Sequence, residues 1–419
     1  MIRRPVYYGW VLAVALGITT IVSYGTTQYF FGVLLVPMQH DLHWSRAELS
    51  GALAAGLVIA GLLGVPIGGL VDRRGARLLM SAGSVLGGAS LLLLSGVREL
   101  WQFYVLWAGG LGLAMALTFY PVSFTVVTNW FHRRRGTALA VLTLVGGLAS
   151  PIYVPLAGVL VAHAGWRMTL LVFGVTQLVI ALPLHALLVR RHPEDRGLVP
   201  DGGLPGESAL GREHGHALRE ALASPAFWTL TGATGLGLFA HSAVLAHQVA
   251  FMIGCGFDPV FAATLAGLVG VASLPGRVVL NLLSDRLGPQ GVLAACTVAM
   301  AAGAVLLIQA TSAAWLWAYV VVYGSAFGAL SPLRASTMAD HFGRRAYGAI
   351  TAVSGVPVAL LGAAGPVVVG WLFDRSGRYE PAFWLVVAAF AVSALAVFLT
   401  PAPTPSGGPS LPEPEPAGP

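Results

Sequence analysis

The sequence predicts an all-α membrane protein, with twelve transmembrane helices arranged as two pseudo-symmetric six-helix bundles. Three observations lead there. The first is composition: of 419 residues, 56% are hydrophobic and only 10% charged, and the mean hydropathy is +0.78. A soluble chain carries roughly 25% charged residues. The second is recurrence. Apolar segments fall near 9–37, 48–71, 76–96, 101–129, 136–163, 166–190, 225–254, 259–283, 289–311, 314–340, 346–373 and 380–400. Each is long enough to cross a hydrocarbon core about 30 Å thick, the longer ones with some tilt. The third is an internal repeat. Pro121, Phe131, Arg133, Arg134 and Pro155 recur 211 residues later as Pro332, Phe342, Arg344, Arg345 and Pro366. Asp72-Arg73-Arg74-Gly75 recurs 213 residues later as Asp285-Arg286-Leu287-Gly288. A near-constant offset implies two equivalent bundles, with a substrate site between them near the bilayer midplane.

The first segment starts after MIRRPVYYGW and runs past signal-peptide length without a clear cleavage site, so it reads as a spanning helix. The formal charge of +6 would suggest nucleic acid in a soluble protein, but the position of the charge excludes that reading. All 23 basic residues are arginine. Arg46, Arg98, Arg167, Arg375 and Arg378 fall on one side of the membrane, Arg277 and Arg334 inside it, and the others on the side of the N-terminus. The arginine-rich side is the cytoplasmic one, so both termini are expected in the cytoplasm and the protein in the cell (inner or plasma) membrane. Cys255 and Cys296 form no disulfide framework.

Four divisions follow: an N-terminal bundle over 1–190, a cytoplasmic central loop over 191–224, a C-terminal bundle over 225–400, and a Pro-rich tail over 401–419. The second part of the loop, ESALGREHGHALREALAS, fits a short amphipathic helix on the membrane surface. The tail composition predicts disorder.

Arg277 lies inside the eighth segment, eight residues before Asp285. At 1.5 Å per helical residue that is about 12 Å deep. A guanidinium cannot shed its charge there, and exposing it to lipid costs at least about 2.5–3.5 kcal/mol. It must face a cavity or a partner. No Asp or Glu lies within a predicted membrane core; Asp258 and Asp340 sit at helix ends. An unpaired buried cation invites a mobile anion, and the planar fork of arginine suits a carboxylate. The other reading is a structural arginine bonded to carbonyls or an aromatic face.

Gly68 to Arg77, GGLVDRRGAR, matches the pattern G-x-x-x-D-R-x-G-x-R between the second and third segments. With twelve spans and a half-repeat, the chain resembles the major facilitator superfamily over residues 1 to about 400. A narrower resemblance is to the monocarboxylate porter and oxalate–formate exchanger branch. It rests on Trp44-Ser45, on Trp130-Phe131-His132-Arg133-Arg134-Arg135-Gly136, on Gly165-Trp166-Arg167, on His247, and on Gly276-Arg277 followed by Ser284-Asp285-Arg286-Leu287-Gly288. In that branch the eighth-helix arginine binds the carboxylate. The chain departs from it at three places: Gln28 stands where animal porters carry a lysine, Ser273 where they carry an aspartate, and no lysine occurs in the eleventh segment.

The resemblance favours His247 over His241 in the seventh segment for substrate contact or proton transfer; a packing histidine is the alternative for both. In the fourth segment, Pro121 opens the helix beside Thr118 and Tyr120, whose hydroxyls could donate to a substrate. Gln28 and Tyr29 are polar groups at depth in the first. Arg334 follows Pro332 by two residues and is expected to act as a cytoplasmic gate or to snorkel. Asp72, Arg73, Arg77, Asp285 and Arg286 are expected to make and break contacts during switching.

The expectation is a secondary active transporter of small organic anions working by alternating access. The cargo would be a monocarboxylate such as lactate or pyruvate, with proton symport as a separate expectation. A carboxylate exchanger of the oxalate–formate kind and an exporter of hydrophobic compounds are the alternatives. No cofactor or metal is implied, the chain is not read as an enzyme, and a monomer in the bilayer is expected.

Overall fold

The computed structural model describes residues 7–131, 135–191, 193–196, 198, 216–343 and 346–401. Within these residues the chain is helical, and twelve spans cross the molecule. They are α1 (Tyr8–Leu42), α2 (Arg46–Arg74), α3 (Ala76–Leu94), α4 (100–130), α5 (135–164), α6 (166–188), α7 (Pro225–Gly254), α8 (Pro259–Leu287), α9 (Pro289–Ile308), α10 (Ala313–Phe342), α11 (Tyr347–Ser376) and α12 (Glu380–Leu399). Eleven apolar stretches are long enough to span, and one of these, Thr137–Leu188, counts twice. Its 52 residues reverse at Gly165, where φ of 79° ends α5 and begins α6.

Local chemistry sets the helix starts. Ser45 Oγ accepts from the Glu48 amide at 3.1 Å, and the Glu48 carboxylate accepts from the Ser45 amide at 2.8 Å, a capping box at the head of α2. Asp258 caps α8 through the Phe261 amide at 2.9 Å, with Pro259 in the first turn. The repeat survives in the backbone. Gly75 and Gly288, equivalent residues of the two half-repeats, both take φ of 81°. Only glycine enters that conformation without strain, so each bundle turns sharply from its second to its third helix.

The faces that meet lipid are apolar. Val278, Val279, Leu282 and Leu287 are exposed along α8, as are Leu395, Phe398 and Leu399 on α12. A bilayer supplies the missing apolar contact. Of the central loop, the helix Leu218–Ala223 is described and carries part of the expected amphipathic segment; residues 199–215 and the tail over 402–419 lie outside the described residues.

The bundles touch at one end. The face carrying Tyr7 and Pro401, the first and last described residues, is the terminal face. Near the opposite face, a Cβ on Gly370 of α11 would sit 3.0 Å from the Ala47 amide nitrogen of α2. One on Gly32 of α1 would sit 2.9 Å from the Ala246 carbonyl of α7, and one on Gly158 of α5 would sit 2.6 Å from Ala263 of α8. Towards the terminal face the contact thins. A Cβ on Gly61 would still sit 3.4 Å from Ala359, but one on Gly64, Gly68 or Gly355 would have no neighbour within 4 Å among the described residues. The bundles are therefore closed at the opposite face and parted at the terminal face.

Candidate functional site: a guanidinium at the waist between bundles

The two helices of the N-terminal bundle that carry predicted substrate contacts, α1 and α4, are both irregular. α1 passes through a π-helical turn, Gly25–Tyr29, which widens the helix and re-aims its side chains. α4 is interrupted at Phe119, whose ψ of 176° is extended, because Pro121 has no amide to continue the ladder. These breaks bring aromatic rings together. Tyr24 stacks on Phe119 at 3.7 Å between centroids and lies 5.0 Å from Tyr120. Tyr29 is 6.0 Å from Tyr24, and Phe124 is 5.0 Å from Tyr120. All five rings are half-buried.

Arg277 reaches this cluster from the other bundle. Its Nε donates to the Gly328 carbonyl of α10 at 3.2 Å, and its Nη1 donates to the Thr143 carbonyl of α5 at 3.0 Å. The Tyr120 hydroxyl lies one turn along α5 from that carbonyl, where a Cβ on Gly146 would sit 2.7 Å from it, and Tyr29 and Tyr120 both lie within range of the Arg277 charge. The approach to α10 is possible because position 328 lacks a side chain: a Cβ there would fall 1.9 Å from the Ser273 carbonyl. The guanidinium faces neither lipid nor a described carboxylate. It does satisfy part of the structural alternative, since two carbonyls hold it. Nη2 and the second Nη1 hydrogen keep their donors, because no described group accepts from them.

Tyr29, Tyr120 and Arg277 are thus brought together. The hydroxyls of Tyr29 and Tyr120 bond to no described residue, and neither does the Gln28 amide, half-buried in the same π turn. Thr118 is elsewhere: it is buried, its hydroxyl donates to the Ala114 carbonyl at 2.8 Å, and its methyl packs on Gly83 of α3. An intrahelical bond and a packed methyl leave nothing for a ligand.

His247 is also elsewhere. It lies near the opposite face and is fully buried. Nε2 donates to the Pro366 carbonyl of α11 at 2.8 Å, so Nδ1 is the acceptor and takes the Tyr379 hydroxyl at 3.0 Å. Ser50 of α2 is 3.4 Å from Nε2. With both nitrogens committed, the expected contact with a substrate at Arg277 has no geometry. Around His247 stands a closure the sequence reading missed. The Asp374 carboxylate accepts from the Arg46 and Ala47 amides at 3.1 and 2.9 Å, capping α2 from α11. The Arg46 guanidinium sits 3.7 Å over Phe373 and 4.8 Å over Tyr379, and its Nε donates to Gln39 at 2.7 Å. Burial holds the Tyr379 phenol above its usual pKa, so it remains a proton donor. The only sequence hint was Arg46 directly after the capping Ser45.

Arg334 does not gate or snorkel. Its Nη2 packs against Gly237 of α7, inside the C-terminal bundle, in a small cavity shared with Thr234, Thr297 and Ser393. His241 stacks on Phe327 at 4.2 Å, and its Nδ1 lies 2.9 Å from the Tyr323 hydroxyl. Arg77 and Arg286 are exposed at the terminal face. The side chains of Asp72, Arg73 and Asp285 lie outside the described residues. No group of three or more His, Cys, Asp or Glu among the described residues is placed to hold a metal.

Known proteins of similar sequence and fold agree with this architecture. The chain is 27% identical over 401 residues to monocarboxylate transporter 13 of Bos taurus, covering 94% of this chain and 89% of that one. It is 26% identical over 271 residues to the MFS-type transporter pytF of Aspergillus terreus, covering 64% and 83%. A bacterial homolog of the human lysosomal transporter Spinster, solved inward-facing and unoccupied, superposes with a TM-score of 0.72 at 16% identity, covering 95% of each chain. The sequence model of the Major Facilitator Superfamily matches residues 16–364. The chain therefore belongs to the major facilitator superfamily and is a membrane transporter, not an enzyme.

Proposed function

We propose that this transporter carries small organic anions, monocarboxylates above all, by alternating access, with Arg277 receiving the carboxylate. The observation that carries this reading is a half-buried guanidinium at the bundle interface with free donors and no described acidic partner. The similarity to a monocarboxylate transporter supports it. In the proposed cycle both termini are cytoplasmic, and the parted terminal face is the inward-open state. Arg277 grips the Thr143 carbonyl of the opposite bundle when empty. A bound carboxylate competes for that donor and supplies the missing negative charge. Neutralisation lowers the cost of closing dry walls around the site. The bundles then rock, and the contacts of Asp374, Arg46 and His247 release at the opposite face.

Symport with a proton belongs to this proposal as a separate step. His241 is its candidate carrier, because its Nε2 bonds to no described residue. Uptake of radiolabelled lactate and longer-chain monocarboxylates into proteoliposomes, with and without an imposed pH gradient, tests both steps. Arg277→Gln abolishes uptake while the protein remains folded by circular dichroism; normal uptake by that variant refutes the assignment. Uptake indifferent to the gradient removes the proton and leaves the carboxylate site.

A second reading, exchange of dicarboxylates, needs two cations in one cavity. Arg334 was its only other source within the membrane, and it lies inside the C-terminal bundle.

A further inference from the structure

Resting on the reading that Arg277 receives a carboxylate, we infer that the cargo is an aryl-substituted monocarboxylate rather than a small hydroxy acid. The argument starts from what surrounds the cation. On the N-terminal bundle, Tyr24 and Phe119 stack with an interplanar angle of 12°, and Tyr29 and Tyr120 flank them. On the C-terminal bundle, Phe327 precedes Gly328, whose carbonyl holds Arg277, and stacks on His241 at 18°. Each of these rings is half-buried and keeps part of its surface uncovered, and the Tyr120 hydroxyl lies against Gly146, one turn from the Thr143 carbonyl that Arg277 grips.

Charge fixes one end of the ligand. Arg277 has no second cation beside it among the described residues, so a single carboxylate balances it. Shape fixes the other end. Flat rings gain most from a flat partner, stacked or edge-on. Lactate and pyruvate offer a methyl group and leave those faces wet. An aryl ring covers them and is removed from water in turn. The hydroxyls of Tyr29 and Tyr120, which bond to no described residue, add donors and acceptors for a keto or hydroxyl group between ring and carboxylate. The inferred class is the arylpyruvates, aryllactates and arylacetates.

The test is a ligand series on the purified full-length protein in proteoliposomes, read as half-saturating concentration for uptake. Its probes are 3-phenyllactate, phenylpyruvate, 3-cyclohexyllactate and lactate, with benzyl alcohol as a ring lacking the carboxylate. Phenyllactate is expected to saturate at a concentration about tenfold or more below lactate, and about threefold below its cyclohexyl analogue. Tyr24→Leu or Phe119→Leu narrows the preference for phenyllactate over lactate about three- to tenfold. The wild-type series stands if both variants fail to fold.

Equal saturation by lactate and phenyllactate overturns the inference and leaves the carboxylate site intact. Equal saturation by the phenyl and cyclohexyl acids overturns the role of the stacked rings. No uptake of any carboxylate, or uptake unchanged in Arg277→Gln, overturns the reading beneath it. Benzyl alcohol competing as well as phenyllactate overturns both.

Discussion

The closure at the opposite face yields the sharpest prediction about conformational balance. Asp374→Ala removes a carboxylate that accepts from two amides, at 3.1 and 2.9 Å, across the bundle boundary. A lost helix cap costs about 0.5–2 kcal/mol, and a lost charge at the helix N-terminus about 0.3–1 kcal/mol. Asp374 is exposed, so water replaces part of both terms, and a net loss of about 1–2 kcal/mol is expected. That loss falls on the state in which α2 and α11 touch. When they separate, water hydrates the two amides whichever residue stands at 374. The ratio of terminal-face-open to opposite-face-open molecules should therefore drop about 5- to 30-fold. Spin labels at Arg98→Cys and Arg378→Cys report the distance across the opposite face, in a background lacking Cys255 and Cys296. Double electron–electron resonance should show a longer-distance population growing in Asp374→Ala and receding in Asp374→Glu. A distribution unchanged from the parent refutes the reasoning, because the cap would then contribute equally to both states.

Three further outcomes follow. His247→Phe strands the Tyr379 hydroxyl and the Pro366 carbonyl, costing about 1–3 kcal/mol; it should shift the same distance distribution while carboxylate affinity in Arg277-intact protein stays within about threefold, and a larger affinity loss would return His247 to the substrate site. Gly328→Ala forces a Cβ to 1.9 Å from the Ser273 carbonyl, so α8 and α10 must part at a cost of about 1–3 kcal/mol, seen as a lower unfolding temperature and weakened substrate binding together. Arg167→Gln breaks the 2.6 Å pair with Asp41, but both side chains are well exposed, and thermal stability should fall by no more than about 1 kcal/mol.

Much of this could be read from the chain. The twelve crossings follow from apolar segment length, and the equivalence of Gly75 with Gly288 follows from a constant offset. Arg277 announced itself by being an ion where ions are expensive. Tyr29 and Tyr120 were legible as polar aromatics beside a helix break. Thr118, His247 and Arg334 were misplaced for a common reason. Depth along a helix can be counted from the sequence, but rotation about its axis depends on neighbours contributed by distant segments. Thr118 turns to Gly83, Arg334 to Gly237, and His247 to Pro366 and Tyr379.

The sequence by itself determined that the chain lives in a bilayer, that its halves repeat, and that one permanent charge is stranded at mid-depth. These are one-dimensional facts, because hydrocarbon thickness and the cost of burying charge act on each segment separately. Only the tertiary structure decided that two carbonyls from opposite bundles hold this charge, that Tyr24, Tyr29, Phe119, Tyr120 and Phe124 gather into one aromatic cluster, and that His247 fastens the far end. Those are facts about helix rotation and contact between bundles, where atoms more than a hundred residues apart must meet within about 3 Å to form a hydrogen bond.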